Sequence, residues 1–118
     1  MYFDTHAHYD DKAFDDDRYE LLEQILAESV SYIINPGCDV KSSRHALELA
    51  ERFENMYAAV GVHPGEIEGY RPGDLELIEG LAAHPKCLAI GEIGLDYYWD
   101  DSRKQEQKEL FASQLELA

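Results

Sequence analysis

The sequence predicts an α/β fold in which helices cover a parallel β-sheet. Four times along the 118 residues, a short apolar segment is followed by a segment with apolar residues at helical spacing. The apolar segments recur roughly every 25 to 30 residues, which is the length of a βα unit. They are almost continuously apolar, as the strands of parallel sheets are. The chain therefore holds about four βα units in one domain.

The first two units are delimited by clear strand ends. The first predicted strand, Tyr2 to Thr5, leads into His6-Ala7-His8, and an acidic loop separates it from a helix over about 17–29. The second strand, Ser31 to Asn35, stops at a Pro-Gly pair, because proline lacks the N–H that continues a ladder. A helix over about 41–54 follows, with its apolar residues on one face.

The last two units repeat the pattern. The third predicted strand is Met56 to Val62, and Asp74 can cap the helix that follows it. The fourth strand covers Cys87 to Glu92, and Ser102 opens the last helix in the S-x-x-Q form of a capping box. No stop signal ends this helix, so we expect residues 1–118 to be a truncated part of a larger domain.

The charge excludes one class of function. Asp and Glu number 25 against 10 Lys and Arg, which gives a formal net charge of -15. A free-standing nucleic-acid-binding module is disfavoured, because such binding depends on Lys and Arg that neutralise phosphates. An enzyme that meets phosphates through bound metal ions stays possible, since the ions carry the positive charge.

Three observations bear on the cellular compartment. No apolar run reaches the roughly 18 residues that a membrane-spanning helix needs. The N-terminus lacks the basic and apolar regions of a signal peptide, so we expect a cytoplasmic protein with no membrane partner. Cys38 and Cys87 fit no CxxC or zinc spacing and are predicted to be buried free thiols.

The first candidate site residues are His6 and His8. Residues two apart in a strand point to the same side, so both imidazoles face one way at the end of the first strand. Two neutral imidazoles placed in this way can share Zn²⁺, Mn²⁺ or a similar ion. The alternative is a pair of partly exposed histidines without a ligand.

Glu92 and His63 are the other candidates. A carboxylate at the end of an apolar strand either meets a cation, is buried at a cost, or points outwards. If the first and fourth strands face a common interior, Glu92 can meet His6 and His8 at one ion or bridge two. His63 follows the third strand and either contacts a substrate oxyanion or phosphate or bonds to the backbone of the next loop.

Several nearby residues have two interpretations. Asp4 could orient a metal ligand and Asp96 could reach the same rim, but bonding to backbone N–H groups is the favoured role of both. The aromatic run Tyr97-Tyr98-Trp99 either covers the mouth of the site and stacks on a substrate ring or packs on the adjoining helix.

Three segments together resemble the TatD family of metal-dependent deoxyribonucleases and hydrolases. They are Phe3-Asp4-Thr5-His6-Ala7-His8, Ala59-Val60-Gly61-Val62-His63-Pro64 and Ala89-Ile90-Gly91-Glu92-Ile93-Gly94-Leu95-Asp96-Tyr97. The resemblance implies a TIM-barrel-type (β/α)₈ fold with a two-metal site at the C-terminal ends of its strands. It implies metal ligation by His6 and His8, a metal-bridging and catalytic role for Glu92, and a catalytic position on the substrate side for His63.

The implied reaction is hydrolysis of DNA phosphodiester bonds by a metal-activated water, with exonucleolytic cleavage of single strands or 3′ ends. Two divalent ions (Zn²⁺, Mg²⁺ or Mn²⁺) would serve each complete site. Barrels of this type run to about 250 residues, so about four of the eight units are present and residues 1–118 correspond to the N-terminal half. The family's other ligands come from later strands, so we expect little or no turnover from this chain alone. Its expected protein partners are a missing C-terminal half or a second copy of the chain.

Two alternatives remain. One is a small-molecule metal hydrolase of the wider amidohydrolase-like group, which an H-x-H pair after the first strand suits equally well. The other is a non-catalytic half-barrel, whose uncovered first and fourth strands would be sheet edges prone to self-pairing.

Overall fold

Four parallel strands form one sheet in the order β1-β2-β3-β4 in the computed structural model, which describes residues 1–118. The strands are β1 (Tyr2–Asp4), β2 (Val30–Pro36), β3 (Met56–Val60) and β4 (Cys87–Ile90). Every neighbouring pair is parallel, and the consecutive order makes each crossover a βα unit. The predicted α/β architecture of four units is confirmed.

One helix follows each strand. The helices are α1 (Arg18–Glu28), α2 (Val40–Arg52), α3 (Asp74–Ala82) and α4 (Lys104–Leu117), and short 3-10 turns cover Lys12–Phe14 and Pro64–Glu66. None of these helices combines the length and the apolar character needed to cross a membrane.

Three of the four strands, β1, β3 and β4, end earlier than the sequence predicts, which moves the candidate residues into loops. β1 ends at Asp4 rather than Thr5, and β3 and β4 each end two residues early. The segment after β4 pairs with a loop instead of a strand, because the Glu92 N–H donates to the Gly37 carbonyl at 2.8 Å. The candidate residues therefore lie just beyond the C-terminal edge of the sheet.

The core lies between the helices and one face of the sheet. Ile33, Ala58 and Val60 point from the strands into this core and are fully buried, together with Leu49 of α2 and Ile78 of α3. These apolar side chains fix which face of each strand is covered, because alternate residues point to opposite faces.

The opposite face of the sheet is open. Phe3 and Tyr32 lie side by side in the β1–β2 register, and their rings meet edge to face with centroids 5.6 Å apart. Both are exposed, as is Leu88 on β4. The prediction of uncovered strands at the two sheet edges is confirmed.

Two predicted helix caps are wrong. Asp74 is the first residue of α3, and its carboxylate accepts from the Arg71 N–H at 3.0 Å. The Ser102 hydroxyl bonds to Asp100, and α4 begins at Lys104 without a side-chain cap. A short loop can satisfy the same polar side chain as a cap can, so the motif alone does not fix the boundary.

Candidate metal centre

Three of the predicted residues converge at the C-terminal edge of the sheet. His6 Nε2 lies 3.3 Å from Glu92 Oε1, and His8 Nε2 lies 3.5 Å from Glu92 Oε2. The two Nε2 atoms are 3.1 Å apart. Strands β1 and β4 are the two edges of the sheet, and the segment after β4 reaches back towards β1 by bonding through the Glu92 N–H to the Gly37 carbonyl after β2.

The three side chains fit a divalent ion. Two ligands held about 2.1 Å from one tetrahedral ion lie about 3.4 Å apart, and the separations here range from 3.1 to 3.5 Å. Two imidazole nitrogens and a carboxylate oxygen form a donor set that suits Zn²⁺ and Mn²⁺. The side chains of His6, His8 and Glu92 are 54%, 38% and 25% exposed, so the centre is open to solvent and substrate.

The histidine pair is held by backbone pairing beyond β1. The Ala7 N–H donates to the Ile34 carbonyl at 3.2 Å, which continues the contact with β2 past the end of the strand. Ala7 is therefore turned towards β2, while His6 and His8 on either side of it share a direction. The Asp4 carboxylate accepts from the His6 N–H at 3.2 Å, which confirms the predicted backbone role of Asp4.

A buried amide anchors the loop that follows His8. Asn35 at the end of β2 is fully buried. Its Oδ1 accepts from the Tyr9 and Asp10 N–H groups at 2.8 and 3.3 Å, and its Nδ2 donates to Asp10 Oδ1 at 2.9 Å. Asp10 Oδ1 in turn lies 3.9 Å from His8 Nδ1. Sequence reasoning missed Asn35, although a polar residue at the end of an apolar strand was the available signal.

Arg18 holds the same loop from the other side. Its buried guanidinium donates to the carbonyls of Tyr9, Asp10 and Asp11, and it pairs with Asp15 at 2.7 Å. The sequence does not distinguish Arg18 from an ordinary residue in the first turn of a helix. Its partners are mainly backbone carbonyls of a loop, and such partners leave no pattern of side-chain types in the sequence.

Close backbone contacts position Glu92. The Gly91 N–H donates to the Val60 carbonyl at 2.9 Å and the Glu92 N–H to the Gly37 carbonyl at 2.8 Å. A Cβ added at Gly61 would lie 2.9 Å from the Gly91 carbonyl carbon, so only glycine allows this approach of β3 to the Glu92 segment.

Cys38 adds a neighbour that the sequence did not assign to the site. Its Sγ donates to Glu92 Oε2 at 3.3 Å. Burial and the hydrogen bond to Glu92 raise the pKa of the Cys38 thiol to about 12, so it is a protonated donor at neutral pH. Both cysteines are free, as predicted, but they are half-buried rather than buried.

His63 lies outside this cluster of ligand atoms. Its Nδ1 accepts from the Gly65 N–H at 2.9 Å and caps the 3-10 turn at Pro64–Glu66. Its own N–H donates to the Cys38 carbonyl at 2.8 Å, which places it beside the segment that contacts Glu92. The structure thus shows the backbone-bonding role, and the substrate-contacting role stays a prediction.

Of the three aromatic residues in the loop after Glu92, one packs near α4 and two are exposed to solvent. Tyr97 is partly buried and its ring lies 5.0 Å from Lys104 Nζ of α4, as the packing interpretation predicts. Tyr98 and Trp99 are 83% and 84% exposed and meet edge to face at 4.7 Å. Asp96 accepts from the Tyr98 N–H at 3.1 Å, which is the predicted turn-forming contact.

The chain is similar to bacterial proteins of about twice its length. It is 44% identical to the uncharacterized metal-dependent hydrolase YabD of Bacillus subtilis and 38% identical to the uncharacterized metal-dependent hydrolase YjjV of Escherichia coli K12. It is 33% identical to the 3'-5' ssDNA/RNA exonuclease TatD of Salmonella typhimurium. The matches cover 98 to 100% of this chain but only 45 or 46% of each relative. The chain therefore spans about half the length of the curated relatives it matches.

A solved structure and a family profile agree with these relatives. The crystal structure of YjjV, a TatD homolog from Escherichia coli K12, superposes with a TM-score of 0.90 at 35% identity, over 99% of this chain and 46% of that one. The four βα units therefore form part of a barrel. The profile of the family described as TatD related DNase matches residues 3–118. Because this profile matches nearly the whole chain, the chain is a member of the TatD related DNase family.

Proposed function

We propose that residues 1–118 are the N-terminal half of a (β/α)₈ hydrolase domain that cleaves phosphodiester bonds of nucleic acid. The observation that carries the proposal is the His6–His8–Glu92 cluster at the C-terminal edge of a parallel sheet, where barrel enzymes place their sites. The 3'-5' ssDNA/RNA exonuclease named among the relatives supports a single-stranded substrate entered from its 3′ end.

The geometry supports a specific role for each of these residues. A divalent ion held by His6, His8 and Glu92 would supply Lewis acidity and lower the pKa of water. The Glu92 carboxylate presents Oε1 to His6 and Oε2 to His8, so it can serve one ion or bridge two. Cys38 keeps a hydrogen bond on Oε2, which limits rotation of the carboxylate. We assign His63 to the substrate side, because its backbone N–H bonds to the carbonyl of Cys38, the residue whose thiol contacts Glu92.

The exposed aromatic pair favours nucleic acid over a small-molecule amide or lactone. Tyr98 and Trp99 lie in the loop that follows Glu92 and leave their rings open to solvent. Bases of a single strand stack on such rings with about 1–3 kcal/mol each.

The test compares substrates on one protein. The protein used is this chain extended through the reading frame that follows Ala118, called here the extended protein. With Mn²⁺, we expect it to shorten a 5′-labelled single-stranded oligonucleotide stepwise and to leave a panel of lactones and amides unchanged. Hydrolysis of a lactone or amide without cleavage of the oligonucleotide would overturn the proposal.

The same assay on the 118-residue chain tests whether residues 1–118 alone form a complete catalytic site. We expect little or no turnover from it, because the cluster supplies ligands for one ion and a two-metal reaction needs more. Robust cleavage by the purified chain, abolished by EDTA, would contradict the half-domain proposal.

A further inference from the structure

A charged cleft lies beside the metal centre and has no role in the mechanism above. It has a volume of about 670 Å³ and lies between the loop after β1 and the first three turns of α2. Lys12, Lys41, Arg44 and His45 line it, together with four carboxylates.

The cations of this cleft have no partners within the protein. Ten Lys and Arg occur in the chain, and five of them make no side-chain hydrogen bond, ion pair or cation–π contact. Those five are Lys12, Lys41, Arg44, Arg71 and Lys108. Three of the five line the cleft, so it gathers most of the uncommitted positive charge of a chain whose net charge is -15.

Most of the carboxylates of the cleft are already engaged. Asp15 pairs with Arg18, Asp39 accepts from the Ser42 N–H in a capping box, and Asp10 accepts from Asn35. Only Glu48 has no such partner. Three of the four carboxylates therefore bond to other groups, and none of the four forms an ion pair with Lys12, Lys41 or Arg44, so these three cations remain available to an external anion.

The cleft is joined to the metal centre through Asp10. This residue lines the cleft, and its Oδ1 lies 3.9 Å from His8 Nδ1. Lys41 and Arg44 are three residues apart in α2 and so project from one side of the helix. An anion with repeated charges can thus extend from the centre along this side of α2.

We propose that this cleft binds the phosphate backbone of the nucleic-acid strand whose bond is cleaved at the His6–His8–Glu92 cluster, an inference that rests on the proposed function. Phosphate suits the available donors, since Arg44 offers a planar fork and Lys12 and Lys41 offer point charges. Phosphates also recur along a strand, as the spread of the cations requires. A carboxylate-rich peptide shares the charge but does not explain the adjacent metal centre.

The test is binding of fluorescein-labelled (dT)₁₀ to the 118-residue chain in EDTA, followed by anisotropy at several salt concentrations. The variant K41Q/R44Q removes two cations of the cleft, and the control R71Q/K108Q removes two uncommitted cations elsewhere. For K41Q/R44Q we expect the dissociation constant to rise at least about tenfold and the salt slope to fall by about 1.4, or 0.7 for each lost phosphate contact. The control should bind like the wild-type chain.

Two results would overturn the proposal. One is equal weakening in both variants, or in neither, since either result removes the special role of the cleft. The other is equally tight binding of a labelled ten-residue poly-Glu peptide with the same loss in K41Q/R44Q, which would assign the cleft to acidic protein segments. Cleavage by the extended protein is scored separately, so the cleft proposal can fail while the nuclease proposal stands.

Discussion

Burial is the main influence on the chemistry of Cys87, at the start of β4. The thiol is half-buried and donates to the Ala89 carbonyl at 3.4 Å, and burial raises its pKa above the usual value. Because the thiolate is the reactive form, a raised pKa lowers the reactive fraction at any given pH.

We therefore expect slow alkylation of Cys87 in the folded chain. In a Cys38→Ser background, iodoacetamide at pH 8 should modify native protein more slowly than urea-unfolded protein, as followed by intact mass. The pH midpoint of the native rate should lie above that of the unfolded chain. Equal rates and equal midpoints in the two states would show that burial does not govern this thiol.

The sequence reveals some residues of the site and hides others, and the difference lies in whether a residue's role depends on contacts with distant segments. His6, His8 and Glu92 combine a ligand-type side chain with a position at the end of an apolar strand, and both properties are visible along the chain. Asn35 and Arg18 act on backbone groups of the loop after His8, so their partners depend on how that loop folds. Cys38 approaches Glu92 only because the two segments after β2 and β4 pair.

At the scale of elements, the loop after β1 is held to β2 by Asn35. Replacing Asn35 with Ala leaves the Tyr9 and Asp10 N–H groups without their acceptor. An orphaned buried group costs about 1–3 kcal/mol, and these two N–H groups are only partly buried, so we expect the free energy of unfolding to fall by about 2–4 kcal/mol. Metal binding should also weaken as His8 loosens.

Urea unfolding and metal titration measure the two effects of Asn35→Ala. Asn55→Ala is the matched control, because the Asn55 side chain makes no hydrogen bond, and it should change neither quantity. Unchanged stability in Asn35→Ala would refute the anchoring role.

A buried glutamine holds α4 to the end of β3. Gln114 is fully buried, accepts from the Val62 N–H at 2.7 Å and donates to the Val62 carbonyl at 3.0 Å. We expect Gln114→Leu to destabilise the chain by about 2–4 kcal/mol, because two backbone groups lose their partner. Gln105→Leu on the exposed side of the same helix is the control. Similar urea midpoints for the two variants would contradict this account.

The strands and helices could be predicted from the sequence more completely than the residues at which they begin and end. Apolar runs and helical spacing identify all four βα units, since periodicity reports which residues face a core. The capping residues are less certain, because Asp74 and Ser102 find partners in their preceding loops. The capping box that does form joins Asp39 and Ser42 at the start of α2.

At the scale of the whole molecule, the open face of the sheet is the main consequence of having four units. Phe3 and Tyr32 remain exposed on the side opposite the helices. Further units closing a barrel would bury these rings, and each fully buried aromatic side chain contributes about 1.5–3 kcal/mol.

We accordingly expect the extended protein to have a higher Tm than the 118-residue chain, with differential scanning calorimetry as the measurement. In the extended protein, Tyr32→Ala should lower Tm substantially, whereas in the 118-residue chain it should have little effect. A similar small effect in both proteins would mean that the added units do not cover this face.

The central claim is that His6, His8 and Glu92 together hold a divalent ion. Its most direct test is titration of metal-free chain with Mn²⁺ or Zn²⁺ by calorimetry, comparing wild type with Glu92→Gln and with Glu76→Gln, an exposed control on α3. Loss of a direct ligand should exceed the roughly 10- to 100-fold cost of losing an outer partner, so we predict affinity at least about 100-fold weaker in Glu92→Gln and unchanged in Glu76→Gln. Equal affinity in wild type and Glu92→Gln would contradict the claim.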